Sequence, residues 1–158
     1  MPTIHLTTVI HAPIERVFDL SRSITLHKKS MHHMQEEAVK GRTNGLIEYN
    51  ETVTWRAKHI NKMRELTVKI TEMKKHSHFI DEMIQGDFKH MKHEHYFKPI
   101  DNGTVMIDVF EFGTPYGSIG RLFEKFYLTK YMKRLLETRN EAIKDYAESE
   151  KWRVVLSY

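Results

Sequence analysis

The sequence predicts an α+β fold, a curved antiparallel sheet of about seven strands wrapped around one long C-terminal helix, with two short helices after the first strand. Three observations carry this reading. From Gly41 to Phe112 apolar residues recur with a period near two, in segments separated by short turn-like stretches. From Ser118 to about Glu148 the period becomes helical, and no Pro or Gly interrupts it after Gly120. A helix of about 30 residues with a broad apolar face must be covered along its length, and the sheet is the partner available to it.

Each element has its own signal. Ile4, Leu6 and Ile10 alternate with His5, Thr7 and Val9 and read as a first strand. Ala12-Pro13 opens a short helix, with Pro suited to the first helical position, and Ile14, Val17 and Phe18 follow at helical spacing. Ser23 is placed to cap a second short helix. Glu36 to Lys40 reads as a strand ended by Gly41, and Thr43-Asn44-Gly45 is turn chemistry. Long strands are expected near Ile47 to His59, Glu65 to Met73, Phe79 to Gln85, Phe88 to Lys98 and Thr104 to Phe112. Their short connections predict antiparallel hairpins. In the long helix the step from Phe126 to Leu128 breaks the stripe, which predicts a kink or a wide apolar face near there. The closing residues Trp152, Val154, Leu156 and Tyr158 alternate again, as a docked tail or an added edge strand would. The 158 residues are expected to form one domain over 1–150, with a tail at 151–158.

Composition narrows the class. Cysteine is absent, which excludes a disulfide framework, thiolate metal ligands and a thiol nucleophile. The chain does not open on a basic stretch followed by an apolar run, and no apolar run approaches the ~20 residues that span a bilayer. A cytoplasmic location without a membrane span is expected. The net charge is +4. Between Arg56 and Lys98 ten Lys/Arg stand against six Asp/Glu, with six His. These cations are spread singly and read as the solvated face of a sheet, so no nucleic-acid partner is expected.

The strand faces carry the functional signal. Glu51, Val53, Trp55, Ala57 and His59 share one face, as do Met91, His93, His95 and Phe97, and again Thr104, Met106, Asp108, Phe110 and Phe112. Each mixes aromatics or Met with ionisable groups. Burying such groups unpaired costs roughly 2–7 kcal/mol each, so a face that only packs on a core has no need of them. A pocket for a mostly apolar small molecule does. The ligand-binding set is therefore Glu36, Glu51, Trp55, His59, His93, His95, Phe97, Met106, Asp108 and Phe110, with Phe126 from the helix.

Two chemistries compete with plainer ones. His93-x-His95 with His59, Glu51 or Asp108 is a donor set for a divalent metal. Histidines hydrogen-bonded to neighbours such as Asp108 or Glu36 are the preferred reading, and neither metal nor cofactor is expected. Asp108 between Met106 and Phe110 could have a raised pKa and act with His93 or His95 as an acid/base pair. A structural Asp–His hydrogen bond is preferred. No nucleophile elbow, P-loop or dinucleotide motif occurs.

These pieces resemble a known family. The carrying residues are Ile10-His11-Ala12-Pro13-Ile14-Glu15-Arg16-Val17-Phe18-Asp19, Glu36 to Gly41, Gly45-Leu46-Ile47 with Glu51 to Trp55, and Gly86-Asp87-Phe88 with His93 to Phe97. Gly103 to Asp108 and Pro115-Tyr116-Gly117-Ser118-Ile119-Gly120 leading into Tyr131-Met132 complete the set. Over roughly residues 3 to 148 the chain resembles the START and birch-pollen-allergen helix-grip superfamily, SRPBCC, with its polyketide cyclase/dehydrase-like members. It looks most like a bacterial cell-division-inhibitor-like subgroup of no settled activity. The resemblance implies a hydrophobic cavity between sheet and helix that takes lipids, polyketides, quinones or aromatic metabolites, with catalysis in a minority of members. Binding or transport of such a molecule is the leading expectation. A cyclase or dehydratase using the Asp–His pair and a ligand-regulated interaction module are the alternatives. Homodimerisation is tied to the tail. Asp108→Asn is expected to weaken recognition of a polar ligand more than it harms folding.

Overall fold

The computed structural model describes residues 2–115 and 117–156, so Tyr116 of the motif above and Tyr158 of the tail lie outside the described residues. Strand β1 (Thr3–Ile10) leads into helices α1 (Ile14–Ser21) and α2 (Ile24–Ser30). Pro13 is the last extended residue before α1, and the Ser23 hydroxyl accepts from the Leu26 amide as the cap of α2. Strands β2 (Glu37–Gly41), β3 (Thr52–His59), β4 (Lys62–Lys74), β5 (His78–Gln85), β6 (His90–Ile100) and β7 (Gly103–Gly113) follow. All pairings are antiparallel, in the order β1-β7-β6-β5-β4-β3-β2. Hairpins place consecutive strands side by side, and β1 closes the far edge on β7.

The C-terminal helical stretch has three parts. Helix α3 (Gly117–Phe123) runs through a π-helical turn at Glu124–Leu128 into α4 (Thr129–Glu148). The wider turn falls where the apolar stripe slips from Phe126 to Leu128, since a π-turn rotates the following side chains onto a new face. Leu136, Ile143 and Ala147 then press α4 into the sheet.

Burial along β6 and β7 alternates strictly over most of their length, and the inward residues are those the period-two reading selects. Register sets them in cross-strand rows, with His93 opposite Phe110 and Asp81, His95 opposite Asp108 and Phe79, and Phe97 opposite Met106. Two expectations are corrected. Strand β3 begins at Thr52, so Glu51 stands off the strand in the preceding loop. The tail is not an edge strand. Lys151–Val154 is a 3₁₀ turn that tucks Trp152 and Leu156 into the core, and Arg16 and Arg153 both lie over the Trp152 ring. The edge strand offered for the tail is therefore absent among the described residues, and the docked tail is what forms.

Candidate functional site

A pocket of about 370 Å³ lies between the concave face of β3–β6 and the helices α2 and α4. Its walls are mainly apolar, among them Val53, Leu66, Phe88, Met91, Leu128 and Met132. Of the residues the sequence selected, Glu36, Trp55, His59, His93, His95 and Phe110 line it. The other five do not, for different physical reasons.

Phe97 and Met106 face the correct way but lie under α1, where Phe18 packs edge-on to Phe97 at 5.1 Å, and both are buried core. Glu51, free of strand geometry, folds onto Arg42 in a forked pair at 2.8 to 3.1 Å and accepts from the Glu48 amide. Phe126, in the π-turn, is 65% exposed rather than turned to the pocket. Asp108, with 0% exposure, sits one layer behind the histidines.

Asp108 is the hub of a buried network. His93 Nε2 donates to its Oδ1 at 2.7 Å, Asn140 Nδ2 donates to its Oδ2 at 2.7 Å, and Arg139 lies 3.5 Å from Oδ1. Burial alone would raise this carboxyl, but the hydrogen bond from His93 and the charge of the Arg139 guanidinium outweigh it and hold Asp108 well below the usual carboxylate range. A carboxylate so firmly ionised is an anchor for its neighbours. The raised pKa considered for Asp108 is thus reversed, while the Asp–His bond is present. Arg139 is fixed on its other side by the Ser21 carbonyl at 3.0 Å and hydroxyl at 2.9 Å, and by the Asn140 side-chain oxygen at 3.0 Å.

The pocket-facing layer is a second pair. His95 Nε2 lies 2.7 Å from Asp81 Oδ2, and Arg139 faces His95 Nδ1 at 3.4 Å. A guanidinium can only donate, so Nδ1 accepts and the Nε2 proton points to Asp81. Burial, with the charges of His93 and Arg139, drives the His95 pKa well below its ordinary value, so the ring is neutral. Burial pushes Asp81 up, against the pull of His93, Arg139 and His27. The ring of His93 lies 3.7 Å from that of His95 and edge-on to Phe110 at 5.2 Å. Nearer the rim, His27 pairs with Glu36 and lies against Trp55 at 4.2 Å. His59 meets the Tyr131 hydroxyl at 2.7 Å, joining the β3 end to α4. Burial lowers His59 and raises Tyr131.

Asp81, His93 and His95 each offer a donor atom, all within 4.8 Å of one another. Two histidines and a carboxylate match a common divalent-metal set, and Asp108 behind them stands where an orienting carboxylate would. The guanidinium of Arg139 already supplies a positive charge against His95 and Asp108, and both Nε2 atoms are engaged in hydrogen bonds. The same donor atoms thus form a satisfied hydrogen-bonded cluster as they stand.

The sequence reading missed Asp81, Arg139 and Asn140. Asp81 shares a strand face with Phe79 and Met83, the same period-two signal that picked out His93 and His95. Arg139 and Asn140 fill the gap in the buried stripe between Leu136 and Ile143, where helical spacing demands an inward residue.

A family model described as polyketide cyclase / dehydrase and lipid transport matches residues 1–148. No curated protein sequence matches the chain. Among solved structures, the protein TTHA0849 of Thermus thermophilus is 20% identical, with 90% of this chain and 97% of that one covered at a TM-score of 0.70. A START superfamily protein of Mycobacterium smegmatis is 11% identical, with 92% and 97% covered and a TM-score of 0.70. The major latex-like protein 151 of Panax ginseng is 10% identical, with 94% and 98% covered and a TM-score of 0.66. Identities this low speak for a shared fold alone.

Proposed function

We propose a small-molecule-binding role for this chain, which belongs to the polyketide cyclase / dehydrase and lipid transport family and, with its START-like fold, to the SRPBCC superfamily. The ligand is mostly apolar with one polar end. The observation that carries this is the lining of the pocket, in which mainly aliphatic and aromatic walls surround the hydrogen-bonded cluster of Asp81, His95 and His93. Apolar walls supply affinity and a few fixed polar groups supply orientation. The neutral His95 and the raised Asp81 suit an uncharged hydrogen-bonding end, such as a carbonyl or phenol, better than a carboxylate.

Mass spectrometry of protein purified under native conditions tests the reading by looking for a retained molecule. A titration with an apolar naphthalene dye, read by the dye's own emission, tests it without knowledge of the ligand. Trp55→Ala and Phe110→Ala are expected to weaken dye binding by at least about tenfold, consistent with loss of a buried aromatic contact. Unchanged dye affinity in both variants would overturn the reading.

A second reading has one observation of its own. Asp81, raised by burial, touches His95, lowered by burial, at the pocket wall, and opposed shifts in adjacent groups mark acid/base pairs. In an enzyme of cyclase or dehydratase type the working carboxyl is Asp81, with Asp108 as the anchor behind. Asp81→Asn would then abolish turnover and leave binding nearly intact, whereas in a binding protein it changes affinity alone.

A further inference from the structure

From the two apolar projections that flank the pocket mouth we infer that this end of the molecule docks on an anionic membrane surface. One projection is α3, where Ile119 is 80% exposed and Leu122 60% exposed. The other is the β3–β4 hairpin tip, where Ile60 and Met63 are both exposed. They belong to one mouth, because Ile60 and Phe123 line the same pocket. They are also joined. Phe123 stacks on Tyr127, Tyr127 stacks on Tyr131, and the Tyr131 hydroxyl bonds His59, the residue before Ile60.

The hairpin tip is apolar in spite of its backbone. Ile60 and Asn61 both have positive φ, 53° and 59°. Such two-residue turns favour Asn-Gly, and a β-branched residue in the left-handed region is an outlier. An exposed isoleucine held there does nothing for the turn itself.

Charge identifies the occupant. Lys58 and Lys62 flank the tip and Arg121 lies between Ile119 and Leu122, all exposed. Of the described acidic side chains at this end, Asp87 is bonded to Arg64 at 2.8 Å, and the exposed Glu65 is outnumbered by Lys58, Lys62 and Arg121. Apolar side chains ringed by lysine and arginine are the pattern of an interfacial contact with anionic lipid, where insertion and electrostatic attraction act together. A helix of this kind lies on a bilayer, and no described helix is long and apolar enough to cross one. The contact would face the pocket mouth toward the lipid, so an apolar ligand could pass between them without crossing water.

The inference goes beyond the ligand-binding reading and is tested without it. The protein is sedimented with vesicles of phosphatidylcholine alone and with vesicles of phosphatidylcholine and phosphatidylglycerol in equal parts. Binding is expected to the anionic vesicles, with loss at high salt. I119S/L122S, at positions already exposed to solvent, should weaken it by at least about tenfold. K62E/R121E should do the same for anionic vesicles. Val154→Ser, a 75%-exposed site on the C-terminal turn, should leave it unchanged. Absence of binding to both vesicles overturns the proposal, as does binding that survives both double variants with circular dichroism unchanged. A concentration-dependent dimer that I119S/L122S dissolves also overturns it, since a second copy would then cover the patch. Dye binding by a protein that ignores vesicles would leave the pocket reading standing and remove this one.

Discussion

The concave face of the sheet has two halves built to one rule and used in opposite ways. Toward β1, the ends of β6 and β7 turn Phe97, Met106 and Thr104 inward, and α1 lays Phe18 over Phe97. Toward β3, the same inward parity delivers Val53, Trp55 and His59, and a 370 Å³ pocket stands over them. The strands do not decide between core and pocket. The covering helices do. Asp108 and Arg139 sit at the seam, and their network is the back wall of one half and the floor of the other.

The sharpest way to break this comparison is Asp108→Asn. The substitution removes the charge opposing the buried Arg139 and turns a donor toward either His93 or Asn140. Loss of one partner from a buried pair costs about 3–5 kcal/mol. Chemical unfolding should show a loss of that size, together with weaker dye binding. This reverses the expectation that the variant would harm recognition more than folding. A loss below about 1 kcal/mol would mean that Asp108 belongs to the pocket after all.

Phe97→Ala and Trp55→Ala contrast the halves directly. Phe97 is buried between Phe18 and Phe79, so truncation should cost about 3–5 kcal/mol of stability. Trp55 is half-buried against His27 and open to the pocket, so its loss should cost less than about half as much and fall on ligand affinity. Equal destabilisation by the two would erase the division.

Much of this was legible in the sequence, and what was not has a physical cause. Strand parity selected His93, His95, Trp55 and Phe110 because side-chain alternation is fixed by the backbone itself. It also selected Phe97 and Met106, because parity states which face a residue takes and is silent on which helix lies over that face. Long-range pairing was out of reach. That Arg139, 31 residues beyond Asp108, would neutralise it depends on where α4 crosses the sheet. Phe126 was misassigned for a local reason. The slip in the helical stripe was visible, but its resolution as a π-turn fixes where each side chain points.

Acidification probes the seam. The His95 pKa is depressed in the folded protein, so its contribution to stability is present above the unfolded value of about 6.5 and is lost as pH falls below it. Asp108 is depressed as well, so its contribution is lost only below about pH 4. Asp81 is raised, and its contribution runs the other way, favouring the fold at low pH. Between pH 7 and 5 the His95 effect acts to lower stability, by at most about 1.4 kcal/mol per pH unit. Acidification over this range should therefore cost the native protein more stability than His95→Gln. A profile identical in the two proteins would show that His95 takes up no proton on unfolding.

The smallest effect separates two carboxylates that the sequence could not rank. Glu36 and Glu51 both precede inward strands and both could anchor a polar group. Glu36 is buried at the pocket wall, paired with His27, whose ring rests on Trp55. Glu51 is about one-third exposed and forked onto Arg42, away from the lining. The Arg42 bond holds the Glu51 carboxyl below its ordinary range, but water and salt screen a pair this open. Glu51→Gln should therefore cost about 0.2–1 kcal/mol and leave dye affinity unchanged. Glu36→Gln removes the charge that His27 faces and lets the ring move on Trp55, so the fluorescence change on dye binding should alter in amplitude or midpoint. A Glu51 variant that lost affinity, beside a silent Glu36 variant, would move the pocket rim to the Arg42 loop and redraw the open half of the sheet.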